Sequence, residues 1–294
     1  MSWLTEPWAY DFFRKGLIAG VLAGALCGLV GVYVVLRRMS YIGHGLSHAI
    51  FGGAVASYVV NVNFYVGAGL WGFVSALLIN AVARRRKIGA DAAIGIVTTA
   101  SFAFGVALIS RYHRFTQNFE AALFGNILGV TSTQLWVLAG VTLFAAGAVF
   151  VRYRQLLFAT FDPEAADAYG ISTRRTDALL SLVLAATIVA TMQALGVTLI
   201  AATIVVPAVI GRLLTDSFAK MLVLSTAIGG VAGAAGMYVS YYVDVPPGAA
   251  IVLMLAAVFA VLFVVTSFTA RRRLQALGSI EEHTDVAGPP VGFE

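Results

Sequence analysis

A chain of 294 residues that is 60% hydrophobic and only 11% charged, with a mean hydropathy of +0.90, is excluded from the soluble globular classes, because apolar runs of about 20 residues, enough to span a bilayer, recur along most of it. The net charge of +5 would suit an anionic partner, but most of the cations fall in short stretches between apolar runs, so they report membrane topology and remove nucleic acid as a partner. The one cysteine, Cys27, has no second thiol to pair with, which excludes disulfides and thiolate metal clusters.

Residues 1–15 are polar and aromatic, with Trp3, Trp8 and Tyr10 suited to an interfacial anchor, and they lack the build of a cleaved signal. Residues 16–36 form the first predicted span, along which Gly16, Gly20, Gly24 and Gly28 draw an i,i+4 stripe that invites a second helix to pack closely. Arg37 and Arg38 end that span. Just beyond them, Ser40-Tyr41-Ile42-Gly43-His44-Gly45-Leu46-Ser47-His48-Ala49 sets two imidazoles four residues apart in apolar sequence. On a helix, His44 and His48 share one face, with Cβ atoms roughly 5–6 Å apart, a spacing that lets two histidines share a metal ion. In a soluble protein each would be read as a satisfied polar group. Within a bilayer an ionisable side chain is expensive, and the pair points to function.

From residue 44 to residue 83 there is no fixed charge. A single helix of that length would reach about 60 Å against a hydrocarbon core of about 30 Å. The run therefore folds back, most naturally between Asn61 and Gly69, and Arg84-Arg85-Arg86-Lys87 closes its second helix. Residues 88–110 give a further span; Asp91 near its start reads as a helix cap. A polar connection over 111–133 carries His113 and Glu120, which are either an exposed linker or the lining of an outer mouth. Residues 135–151 cross again.

Residues 161–170 differ in kind: Asp162 suits an N-cap, Pro163 the first helical position, Glu164 the positive helix end and Gly170 the position past the end. They predict a short, bounded surface helix, which is either a plain connector or a docking element for another protein. A second over-long uncharged run, 178–211, must again be a pair of broken or bent helices, interrupted by Gln193, Gly196 and Pro207. Spans at 221–243 and 245–270 complete an all-α polytopic bundle of nine crossings, or eight if one segment only re-enters the membrane. With the N-terminus outside, nine crossings place 15 of the 19 Lys and Arg in cytoplasmic loops, which fixes the sidedness by the positive-inside rule. The integral domain then covers 16–270, with a polar, disordered cytoplasmic tail expected over 271–294.

No Gly-x-x-x-x-Gly-Lys-Ser/Thr loop is present, so any ATP-driven work needs an ATPase on another chain. The chain itself is expected to be no enzyme and to hold no permanent cofactor. A secondary transporter or channel using the same histidines would call for acidic proton relays inside the spans, and only Asp91 stands near one.

The stretch from Val34 to Ala49 closely resembles the signature of the zinc/manganese/iron ABC transporter permease family. Four further stretches are similar in order: Ala90-Asp91-Ala92-Ala93-Ile94-Gly95-Ile96; Phe161-Asp162-Pro163-Glu164 with Ala168-Tyr169-Gly170-Ile171; Gln193-Ala194-Leu195-Gly196 with Pro207 and Arg212; and Val243-Asp244-Val245-Pro246-Pro247-Gly248. The resemblance implies a permease that works as a homodimer or as a pair of related subunits in the cell membrane. It further implies two cytoplasmic ATPase subunits, an extracytoplasmic metal-binding protein and a divalent zinc, manganese or iron ion as cargo. It places the metal positions on His44 and His48. It also gives the segment with Phe161, Asp162, Pro163, Glu164, Asp167, Tyr169 and Gly170 to the ATPase. The family more commonly has Asp where this chain has His44, and two imidazoles suit zinc, iron or copper better than manganese.

Overall fold

The structure, a computed structural model, describes residues 5–83, 89–112 and 125–286. Among them the chain forms eleven α-helices and no strand. In order these are α1 (Asp11–Leu36), α2 (Ser40–Val60), α3 (Phe64–Ala83), α4 (Ala90–Tyr112), α5 (Ser132–Val151), α6 (Tyr153–Phe161), α7 (Pro163–Ala168), α8 (Thr173–Leu195), α9 (Ile200–Leu214), α10 (Phe218–Val243) and α11 (Pro247–Val286).

Seven of these, α1, α3, α4, α5, α8, α10 and the first part of α11, are long and apolar enough to cross a membrane. The two remaining long helices fall short for separate reasons. α2 has 21 residues but carries His44, His48 and three serines. α9 has 15 residues, about 22 Å of helix against a core of about 30 Å. The nine expected crossings thus correspond to nine long helices, seven of which meet both criteria.

Both over-long runs break where the backbone leaves the helical region. Asn61 adopts a left-handed conformation, φ 59°, and the Val62 N–H turns back to the Ser57 carbonyl at 2.9 Å. The second break is at Gly196, φ 85°. Pro207 lies inside α9 without ending it, as neighbouring helices in a bundle permit. α11 continues to Val286, into the segment 271–294 expected as the cytoplasmic tail.

α1 and α8 sit centrally, with 67% and 72% of their most apolar windows inside, whereas α4 and α5 have 17% and α11 has 22%. The glycine stripe explains the place of α1. A Cβ on Gly24 would run into the Gly229 carbonyl, and one on Gly28 into the Ser225 carbonyl, so α1 and α10 meet backbone to backbone. That close seam orders the bundle around α1 and leaves α2 to be held from its other side by α4.

Candidate metal-ion pathway

α2 and α4 approach closely because small residues face each other. A Cβ at Gly45 would strike Ile94 and Thr98 of α4, and one at Gly105 would come within 2.7 Å of the Gly52 Cα. On its other side α2 is tied to the α8–α9 break, where the Ser47 hydroxyl donates to the Val197 carbonyl at 3.1 Å and to the His44 carbonyl at 2.8 Å. These contacts fix the rotation of α2 about its axis. They leave Tyr41, His44 and His48 facing α4 across a cavity of ≈ 650 Å³, whose far wall includes Asp91, Thr98, Thr99 and Phe102.

The two imidazoles lie as the i,i+4 spacing requires, ring centroids 4.6 Å apart and planes 80° to each other. His48 also stands edge-on to Phe102, centroids 5.5 Å apart. His44 is exposed and His48 half-buried. The buried Thr98 hydroxyl finds no hydrogen-bond partner among the described residues, so it offers an oxygen donor at the wall. Nowhere among the described residues do three His, Cys, Asp or Glu side chains gather closely enough to hold an ion. One chain thus presents two nitrogen donors on an open wall, a partial coordination shell at most.

Asp91, read from the sequence as a helix cap, lines this same cavity. Its position follows from the α2–α4 contact at Gly45, a long-range fact that local spacing does not carry.

The bounded surface helix is α7. The Asp162 carboxylate caps it by accepting from the Ala165 N–H at 2.9 Å, Pro163 occupies its first position, and Gly170 follows its end with φ 76°. Phe161 is 61% and Tyr169 79% exposed; Glu164 is exposed too. Asp167 is engaged inside the chain, where its two oxygens accept from the Thr173 N–H and hydroxyl, both at 3.1 Å, and fasten α7 to the start of α8. Preceding α7, the short α6 was not anticipated; its signal is the i,i+3 apolar pair Leu156 and Ala159, both buried. His113 and Glu120 lie outside the described residues.

A third feature joins these regions. Gln193, just before the α8 break, accepts through Oε1 from Tyr65 on α3 at 3.1 Å and from Gln134 on α5 at 2.6 Å, while its carbonyl accepts from the Asn126 N–H at 3.0 Å. The polar residue that interrupts the second long run therefore knits three helices together.

A membrane bundle with an imidazole pair on an open cavity wall and a capped surface helix at the head of its second half has the build of a translocation component. The chain belongs to the ABC 3 transport family, whose sequence model matches residues 9–266, and so is a membrane component of an ABC transporter. It is 37% identical over 255 residues to the manganese transport system membrane protein MntC of Halalkalibacterium halodurans, covering 87% of each chain. It is 33% identical over 264 residues to the chelated iron transport system membrane protein YfeD of Yersinia pestis, covering 88% of this chain and 87% of that one. Its fold matches that of PsaBC from Streptococcus pneumoniae in complex with Fab, with a TM-score of 0.81 at 30% identity over 89% of this chain and 94% of the other.

Proposed function

We propose that this chain is the membrane permease of an ATP-driven importer for a divalent transition metal ion, with His44 and His48 lining the ion path. The observation that carries the reading is the exposure of His44 beside a half-buried His48 on α2, within a bundle of membrane-spanning helices. An imidazole left against lipid is costly, so a second copy of the chain or a water-filled path covers this face. A second copy does both. Apposed across a two-fold axis, two chains bring four imidazoles to one cavity and cover α4, whose Ile96, Phe104 and Val106 are 62%, 44% and 45% exposed.

The site holds its ion weakly by design, because conduction requires binding loose enough to release; a structural zinc site, by contrast, closes four ligands at roughly 2.0–2.3 Å. Two ATPase subunits dock on α7 of the two copies, and an extracytoplasmic binding protein delivers the ion from the other side; His113 and Glu120 are candidates for that mouth. The N-terminus lies outside and the C-terminus in the cytoplasm, as the distribution of cations favours.

The names of the relatives point to manganese and iron, while paired imidazoles favour zinc or iron; the Asp91 carboxylate on the same cavity adds an oxygen donor that manganese accepts. Uptake of each metal by the reconstituted complex, with and without ATP, tests the assignment. We expect ATP-dependent uptake, and in His44→Asp a retained activity with preference moved toward manganese. Uptake driven by a proton gradient with no ATPase present would instead make the chain a secondary transporter.

A further inference from the structure

We propose that the cavity between α5, α6 and the start of α8 is a binding site for an anionic membrane phospholipid. Its volume is ≈ 630 Å³, and its lining is of two kinds: Phe144, Gly147 and Val151 along α5, and Arg152, Gln155 and Arg175 past the end of α5, on α6 and in the first turn of α8. Val151 is the last residue of α5 and Arg152 the first after it, so the change from apolar to cationic wall coincides with the end of a membrane-spanning run, where a phospholipid headgroup meets its acyl chains.

Charge decides what fits the polar end. Among the described residues that line the cavity none is acidic. Elsewhere in this chain Arg37 is matched to Asp177 at 2.6 Å and Arg212 to Asp216 at 3.0 Å. Arg152 gives one N–H to Gln155 at 2.6 Å, and a guanidinium carries five. Two guanidiniums facing one cavity, with donors to spare, call for an anion, and phosphate oxygens accept the paired N–H bonds that arginine offers.

The apolar end decides between a free phosphate and a lipid. α5 is among the least covered of the spanning helices, with 17% of its apolar window inside, and Val151 is 80% exposed, so the groove opens sideways toward the bilayer. Only a ligand that is itself amphipathic fills both ends. The site is distinct from the histidine cavity and stands independently of the proposed transport cargo.

Native mass spectrometry of the full chain, purified in detergent and offered phosphatidylglycerol and phosphatidylcholine together, tests the site. Wild type should retain phosphatidylglycerol selectively. Arg152→Gln with Arg175→Gln should lower that retention by roughly tenfold or more, as expected for two cations near a phosphate. The control pair Arg154→Gln with Arg174→Gln, cations of the same region outside the cavity, should retain it. A Cβ on Gly147 meets nothing within 4 Å, so Gly147→Trp fills the apolar end without disturbing the helix and should displace the lipid with both arginines intact. Equal retention of the two lipids by wild type would overturn the proposal, as would equal loss in the two arginine pairs. Undiminished retention in Gly147→Trp with displacement by inorganic phosphate would assign the cavity to a soluble anion. Loss of ATPase co-purification with lipid retention unchanged would assign the face to the ATPase.

Discussion

Arg37 closes α1 and reaches two other helices, donating to Asp177 of α8 at 2.6 Å and to Thr160 of α6 at 3.2 Å. The pair is largely inside, with side chains 11% and 24% exposed, so removing Asp177 leaves the Arg37 guanidinium without its counter-charge in a poor solvent. Asp177→Ala should cost on the order of 3 kcal/mol of stability, read as a lowered thermal midpoint of the purified chain. Arg37→Ala combined with it should cost clearly less than the sum of the two single changes, since the second removes the stranded charge. Neither partner is legible from sequence, because 140 residues separate them and each looks locally like a loop charge. His44 and His48 are legible for the opposite reason: a helix brings residues four apart together whatever surrounds it.

At the scale of the element, the short helix α7 shows what local chemistry can specify. The Asp162 cap, the Pro163 start and the Gly170 stop were each readable as residues, and each does in the fold what its type dictates. Less readable is a second use of Asp167, which the resemblance gives with the rest of this segment to the ATPase and which within the chain also holds Thr173. This difference selects the probe of docking. Glu164→Lys reverses an exposed charge without touching that fastening, and Phe161→Ala and Tyr169→Ala remove exposed rings suited to fill pockets on another protein. Each aromatic change should weaken ATPase association by on the order of tenfold or more, and Glu164→Lys should lower transport-coupled ATP hydrolysis with metal binding unchanged. Normal association and coupling in all three variants would return α7 to the role of a plain connector. The glycine stripe of α1 was likewise visible as a packing surface, but the identity of its partner α10 was not, since a stripe of small residues says how close a neighbour comes and not which neighbour it is.

For the whole molecule, the count of long helices was legible because a chain in a bilayer must satisfy its backbone internally, so an uncharged run longer than one crossing has to break. Asn61 and Gly196 are where the breaks fall, at residues able to adopt positive φ. The cavity around the histidines was not legible beyond the pair itself, because Asp91, Thr98 and Phe102 enter through the packing of α4 on α2. Sidedness can be read directly. Cys27 is buried, so an introduced cysteine labels against a low background. At Arg85 it should react with an impermeant maleimide only after the cells are opened, and labelling of intact cells would invert the proposed orientation.

The permease reading rests on the imidazole pair acting on the ion itself, which makes uptake by the reconstituted complex of permease, ATPase and binding protein the decisive measurement. His48→Ala leaves the α1–α10 seam and the α2–α4 contact at Gly45 untouched, so the complex should assemble normally while ATP-driven metal uptake falls to background. Since imidazole ligates only when neutral, wild-type uptake should also weaken on acidification. Full uptake by both His44→Ala and His48→Ala, in complexes of normal composition, would contradict the account and leave the pair a structural feature of α2.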